Sequence, residues 1–446
     1  MTSAPASPSP PAAIAAGDLI SLLPDCLLTT ILSLLPLDAA ARTQILSRRW
    51  RRLWPSAPLH LDSHGLPTPT PAAISQILAS HRGNAVRFHL ALPRPSPADL
   101  DSWLRALAAK HLQDLVLHPS SEEPLRLSPA FLACRSLHSA EITNCRLPED
   151  AAGGGGAVDL PHLAELTLRL AHVPSSSALC ALIAGCPGLA SLSLDRVFGC
   201  RSLGLRSRSL RSLTVSASLV RRVTYADELE HLVVEDAPSL ERLLAHDINW
   251  GPSIRVIHAP KLEMLGYLGA GIPVLQLGSA LFHSMCAIRL AAEFRCVKTL
   301  ALEMVYPQVK PVADFLRCFP CLEKLYVTSH MVVPQSMNIL KYDNADDHIE
   351  CLNHHLKTVV LKGYEGRKHE LQLAKFLVHN ARVLQVMKFL SENDCSLAWL
   401  TSQKRRLHLE NRASLGAQFV FKKFSKSYIR FLKQASNIHL VDPFDI

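Results

Sequence analysis

One apolar triplet, of the form L-x-x-L-x-L, returns ten times along this chain. Its first six copies are Leu112/Leu115/Leu117, Leu137/Ala140/Ile142, Leu163/Leu166/Leu168, Leu189/Leu192/Leu194, Leu210/Leu213/Val215 and Leu229/Leu232/Val234. Four more follow at Leu262/Leu265/Tyr267, Val297/Leu300/Leu302, Leu322/Leu325/Val327 and Leu356/Val359/Leu361. Successive side chains of a strand point to opposite faces, so the second and third apolar positions of each triplet share one face and the residues between them take the other. Ten such strands stacked in parallel make one concave sheet with a buried back. Segments between the strands, such as Ser176 to Cys186 and Pro311 to Pro320, have helical spacing and line the convex side.

This is the grammar of a leucine-rich repeat, with a spacing of ~20 to 35 residues that overlaps and exceeds the usual range. It also accounts for length, because a quasi-linear array can reach 446 residues without one thick core. At 48% hydrophobic and 19% charged residues the chain has enough apolar surface to fold. Unequal repeat lengths and the Gly153 to Gly156 run predict loop insertions.

The first residues follow a different rule. Residues 1–17 are a Pro/Ala/Ser-rich leader that cannot bury a core. From Asp18 a dense Leu pattern predicts a helix, ended by Pro36. A second helix is expected from Asp38, whose carboxylate would cap Ala40 or Ala41, and it carries Ile45 and Leu46 inward. Ser47 caps a third, holding Trp50, Leu53 and Trp54. A unit of about 40 residues is small for an independent core and wants a covering partner.

Two parts of the sequence carry family resemblances. Leu23-Pro24-Asp25 through Ile31-Leu32-Ser33, then Pro36-Leu37, then Ile45-Leu46-Ser47-Arg48-Arg49-Trp50-Arg51-Arg52-Leu53-Trp54 resembles a plant F-box. The resemblance implies docking onto a Skp-family adaptor and, through it, a cullin. By the family pattern Leu23, Pro24, Leu27, Ile31, Leu35, Leu46, Trp50 and Leu53 supply the adaptor contact and the internal core. The last third resembles the FBD region of plant F-box proteins in Cys351-Leu352, Leu356-Lys357-x-Val359, Gly363-Tyr364-x-Gly366 and Phe376-Leu377-Val378-x-Asn380-Ala381. The ending Asp442-Pro443-Phe444 recurs in that class as well. The FBD-like part is taken as a terminal repeat that caps the array and protects its last sheet edge.

The expected fold is therefore α/β: leader 1–17, an all-α F-box over 18–58, a leucine-rich-repeat array over 59–345, and FBD-like repeats and cap over 346–446. The expected function is substrate recognition in an SCF-type ubiquitin ligase, with catalysis belonging to other subunits. A repeat scaffold without ubiquitin transfer is the alternative, and a basic nucleic-acid-binding repeat protein a weaker one.

Other chemistries find little support. Lys and Arg number 47 against 38 Asp and Glu, but the excess is spread over short clusters rather than one stripe, which argues against nucleic acid. Twelve irregularly spaced cysteines suit reduced thiols in the nucleus and/or cytoplasm. Cys318-x-x-Cys321 lacks the second pair a zinc site needs. His369-Glu370 lacks the second imidazole of a zinc peptidase, Leu373 standing there instead. Arg48-Arg49-Trp50-Arg51-Arg52 reads as a solvated helix face around one buried Trp. The uncharged stretch Met264 to Ile288 is interrupted by glycines and Pro273, so it predicts repeat strands rather than a membrane span. No catalytic or metal residue and no cofactor is expected, which leaves room for a bridging small molecule or phosphate at the target contact.

The outward positions between the repeat leucines are mostly polar: Asp114, Ser139, Glu141, Glu165, Thr167, Arg169, Ser191, Ser193, Asp195, Ser212, Thr214, His231, Glu235, Glu303 and Lys324. Acidic residues outnumber basic ones there although the chain is cationic. Glu141, Glu165, Arg169, Asp195, His231 and Glu235 are accordingly the candidate target-binding residues, for a basic or Lys-rich segment of a target protein.

Overall fold

A computed structural model describes residues 20, 22–66, 70–91, 95–120, 123–149, 158–216, 228–246, 251–291, 294–329, 348–392, 396–423 and 442–445. The leader and the Gly153 to Gly156 insertion lie outside these residues.

Three helices open the described chain: α1 (Asp25–Leu34), α2 (Leu37–Arg42) and α3 (Arg48–Leu53). Ser47 accepts the backbone N–H of Trp50 at 3.4 Å and so caps α3 as expected. Asp38 does not cap α2. Pro36 holds that position, which leaves Asp38 inside the first turn and paired with Arg42 at 3.4 Å.

Fourteen strands then form one sheet, in which spatial order equals chain order. They are β1 (Leu59–Asp62), β2 (Ala85–Leu90), β3 (Asp114–Leu117), β4 (Ser139–Thr143), β5 (Glu165–Arg169), β6 (Ser191–Asp195) and β7 (Ser212–Ser216). The series continues with β8 (Arg242–His246), β9 (Met264–Gly269), β10 (Thr299–Met304), β11 (Lys324–Ser329), β12 (Thr358–Lys362), β13 (Val386–Ser391) and β14 (Gln418–Lys423). Every pairing in this sheet is parallel, so the leucines align in ladders; Leu166, for example, lies opposite both Ala140 and Leu192. Three successive strands, β4 to β6, are each followed by a left-handed residue, Asn144, Leu170 and Arg196, whose N–H groups each bond a carbonyl of the next repeat.

The expected helices sit behind the sheet as Ser176–Ala184 and Val309–Cys318. Behind the middle repeats the convex layer is instead a second, six-stranded sheet, comprising Ser202–Arg206, His231–Asp236, Ser253–Val256, Val274–Leu277, Ala280–His283 and Cys286–Arg289. Leu203, Leu232, Ile254 and Leu275 of this layer share one continuous core with Leu213, Leu243 and Leu265 of the large sheet. The Met264 to Ile288 stretch falls into strands, and among the described residues no helix is long and apolar enough to cross a membrane.

Two register expectations need correction. The triplet Leu229/Leu232/Val234 belongs to the convex layer, and the concave strand of that repeat is β8, with Leu240 and Leu243 in the ladder. In β9 the pairing with β10 slips between Leu265 and Leu268. Leu268 therefore takes the inward place expected for Tyr267, whose ring emerges on the concave face.

The three-helix unit is fastened to the first repeat. Pro55 accepts the N–H groups of Arg82 and Gly83 at 2.6 and 3.0 Å, and a Cβ on Gly83 would fall 2.1 Å from the Ala57 carbonyl oxygen. Beyond the repeats the FBD-like part extends the same sheet through β12 and β13. Among the described residues β14 is the last strand of the sheet; its Phe419, Val420 and Phe421 are half-buried and its Lys422 and Lys423 exposed.

Candidate recognition surfaces

The first surface is made by the helices. Leu28 and Leu32 on α1 pack with Ala40, Trp50, Leu53 and Ala57 into a small core. Arg49 ties α3 to the start of α1, reaching Asp25 at 2.6 Å and the Leu23 carbonyl at 2.5 Å. Trp50 is buried, as the sequence predicts, while Arg48, Arg51 and Arg52 are exposed and Arg49 is half-buried in its contacts with α1.

The remaining apolar side chains of this unit have no internal place. Of the thirteen large hydrophobic residues exposed among the described residues, eight lie between residues 20 and 46. They include Leu27 at 49%, Leu46 at 64% and Ile45 at 83%. Ile45 and Leu46 were expected inside; a 3-10 turn over Thr43–Ile45 follows α2 directly and turns both outward. The eight sequence-predicted residues are sorted accordingly. Trp50 and Leu53 are core and Leu23 is half-buried beside them, whereas Pro24, Leu27, Ile31, Leu35 and Leu46 face solvent. Leu22 and Leu34, from the same leucine-dense run but outside the eight, join the exposed patch, as does Ile45.

The second surface is the concave face of the large sheet, whose composition changes along its length. Near β3 to β7 it is polar. Asp114, Ser139, Glu165, Ser191 and Ser212 form one lateral row and Thr143, Arg169, Asp195 and Ser216 another. A shallow cavity of about 390 Å³ opens here, lined by Arg87, Asp114, His138, Glu141 and Glu165 among others.

Charge on this half is less free than the sequence implies. Asp195 is buried and neutralised from both sides, by Arg169 at 3.1 Å and Arg196 at 3.2 Å. Glu141 meets His118 at 2.9 Å, and that hydrogen bond holds its carboxyl below the ordinary glutamate value against the opposing effect of burial. His231 and Glu235 are not on this face at all. Both lie on the convex sheet, where Glu235 pairs with Arg206, because the strand that carries them belongs to the back layer.

From β8 onward the concave face turns apolar and then basic. Leu244, Tyr267, Ala301, Tyr326, Val360 and Leu390 form a cluster separate from the main core. Phe444, fully buried, sits on it, its ring 5.0 Å from that of Tyr267 and 5.5 Å from that of Tyr326. Burying a Phe side chain this completely is worth roughly 1.5–3 kcal/mol.

Family comparisons agree with this layout. The F-box domain model matches residues 20–62, and the FBD model residues 345–389. A model described as FBD-associated F-box protein At5g56370, LRR repeats, matches residues 100–327, more than half of the chain. The chain belongs to the F-box/FBD/LRR-repeat family. Two Arabidopsis thaliana relatives, the F-box/FBD/LRR-repeat proteins At4g00160 and At3g52680, are each 26% identical to it; both alignments cover 92% of this chain, with 95% and 94% of the relative. The FBD-associated F-box protein At5g38590, also from Arabidopsis thaliana, is 32% identical over 55% of this chain and 60% of its own length. In this F-box/FBD/LRR protein the FBD match spans β12, the helix Lys368–Asn380 and the first part of β13. Its Gly363-Tyr364-x-Gly366 motif turns the chain out of β12, with Gly363 and Gly366 both at positive φ.

The F-box/LRR architecture is of a generally non-catalytic adaptor type. Among the described residues no group of three or more His, Cys, Asp or Glu is arranged to hold a metal. Burial pushes the thiols of Cys134, Cys145 and Cys351 up to about 12, which keeps them protonated and poorly nucleophilic. Glu370 is likewise structural: its carboxylate accepts the N–H groups of Glu365 and Arg367 and the hydroxyl of Ser329.

Proposed function

We propose that this chain is the target-recognition subunit of an SCF-type ubiquitin ligase. The F-box docks a Skp-family adaptor and, through it, a cullin. The concave sheet holds a target protein for ubiquitination in the nucleus and/or cytoplasm. The chain itself supplies proximity rather than bond chemistry, and it needs no cofactor to do so.

The observation that carries this reading is the apolar surplus of the three-helix unit. Leu27, Ile31, Leu35, Ile45 and Leu46 stand in solvent around a core that Leu28, Leu32, Trp50 and Leu53 already fill. An exposed apolar patch of this kind, beside a domain that needs no further core, suits a stable protein contact.

The test is co-purification of the full chain with a Skp-family adaptor. Leu27→Asp combined with Leu46→Asp should abolish it while leaving the melting temperature unchanged. Retention of the adaptor by this folded variant would remove the proposal.

A further inference from the structure

The residues that fill the basic end of the concave face belong to the chain itself. Asp442 accepts from Lys324 Nζ at 2.8 Å and from the Tyr326 hydroxyl at 2.9 Å. Its other oxygen accepts the N–H of Phe444 at 3.1 Å, which fixes the turn at Pro443. Lys362 Nζ donates to the Phe444 carbonyl at 2.7 Å, and Lys388 reaches Asp445 at 3.1 Å. The Phe444 ring enters the apolar cluster between these two polar ends.

This arrangement has the parts of a peptide-binding site rather than of ordinary core. A preformed sheet presents a greasy recess, and a short turn segment sits on it with one aromatic anchor. Lys362 is more than nine-tenths buried in the recess, lies 5.8 and 5.6 Å from the Tyr267 and Tyr326 ring centres, and gives one of its hydrogen bonds to the occupant's backbone. Lysines are seldom buried unless paired, and here the occupant provides part of the pairing. The main core is complete without the segment, since Phe444 belongs to a cluster separate from it.

We propose that the recess on β9 to β13 is a target-recognition site for a segment of the form acidic–Pro–aromatic–acidic, and that Asp442–Asp445 is its resident competitor. A target enters by displacing this segment. The specificity follows from the occupant: carboxylates for Lys324 and Lys388, a flat apolar ring for Tyr267, Tyr326 and Val360, and a carbonyl for Lys362. This is opposite in charge to the basic segment suggested by the acidic rows near β3, and it concerns a different part of the sheet. The inference deepens the proposed function by naming a target chemistry, yet it involves neither the F-box nor the adaptor.

The test uses the full chain and a fluorescein-labelled synthetic peptide with the sequence of residues 440–446, followed by polarisation. A chain carrying Asp442→Asn and Phe444→Ala should bind it saturably. The unaltered chain should bind at least about tenfold more weakly, because a tethered competitor acts at an effective concentration in the millimolar range. Adding Lys362→Met to the double variant, or replacing Phe by Ala in the peptide, should abolish binding.

A folded double variant that takes the peptide no better than the unaltered chain overturns the proposal. If the double variant does not fold, amide exchange of the unaltered chain decides: excess peptide must raise exchange at residues 442–445, and unchanged exchange overturns the proposal equally. Concentration-dependent dimers that dissociate on adding peptide would assign the recess to a second copy of this chain and overturn a target as its occupant. Adaptor co-purification is untouched by all these outcomes, so failure here and failure of the F-box reading are separable.

Discussion

Arg169 and Asp195 face each other across β5 and β6, with Arg169 Nε 3.1 Å from the Asp195 carboxylate. Arg196 approaches the other carboxylate oxygen's side at 3.2 Å, so one buried acid holds two half-exposed guanidinium groups on the concave face. Asp195→Ala removes the common partner, and the cost expected for such a charged hydrogen-bonded group is about 1–3 kcal/mol. Chemical denaturation checks it; a change below the error of the midpoint would show the pair to be ornamental. Reversing Asp195 together with Glu141 and Glu165 would therefore mix folding with binding. Asp114→Lys with Glu165→Lys is the cleaner probe of a basic target, and it should weaken capture without lowering the melting temperature.

The F-box divides into residues that hold it together and residues that it offers. Leu28→Ala empties a fully buried site and should cost about 2–5 kcal/mol, so adaptor binding and thermal stability fall together. Leu34→Asp and Ile45→Asp, at exposed positions, should leave the melting temperature within about 1 °C. Calorimetry on the two classes of variant distinguishes them.

Gly366 follows the turn out of β12 at φ +74°, and a Cβ there would lie 2.5 Å from Gln403 Oε1. That oxygen is buried and accepts the Tyr364 hydroxyl at 3.1 Å, so it has little freedom to move. Gly366→Ala should destabilise by more than about 1 kcal/mol, whereas Gly416→Ala, with open space around it, should be nearly neutral. Urea midpoints for the two variants measure the contrast.

Lys362 gives a pH signature. Burial lowers its ammonium pKa from 10.5 to about 8, despite the opposing pull of Asp445, Asp442 and Glu303. The folded chain then releases this proton before the unfolded chain does, so the site's contribution to stability rises as pH climbs from about 8 to about 10.5. Relative to Lys362→Met the unaltered chain should gain up to on the order of 3 kcal/mol across that window. Melting temperatures of both proteins at pH 7.5, 9 and 10 provide the check; a constant difference would refute it.

Where the fold is legible in the sequence, one local rule is enough. Leu166 and Leu168 announce β5 because alternation is local to five residues, and Ser47 announces α3 because a cap acts within one turn. The error at Leu229/Leu232/Val234 has a physical cause. Both layers of the middle repeats bury one strand face against the same core, so they carry the same alternation and differ only in which side of that core they occupy. Strand β8 is hidden in the sequence because Ala245 stands where a large aliphatic is the rule, and β2 because Phe88 anchors it without a leading leucine. Ile45 and Leu46 lie outside because a 3-10 turn rotates side chains away from the face that a 3.6-residue count assigns them. The contact of Phe444 with Tyr267 and Tyr326 joins residues more than a hundred positions apart, which no periodicity encodes.

Because the fourteen strands succeed one another in space as they do in sequence, the molecule is graduated like a measuring rod. Ten steps of ~4.8 Å separate β1, beside the helices, from β11, which bears Tyr326, an arc of roughly 50 Å. Gaining or losing one repeat would shift whatever is held at the far end by a single graduation without altering how it is held.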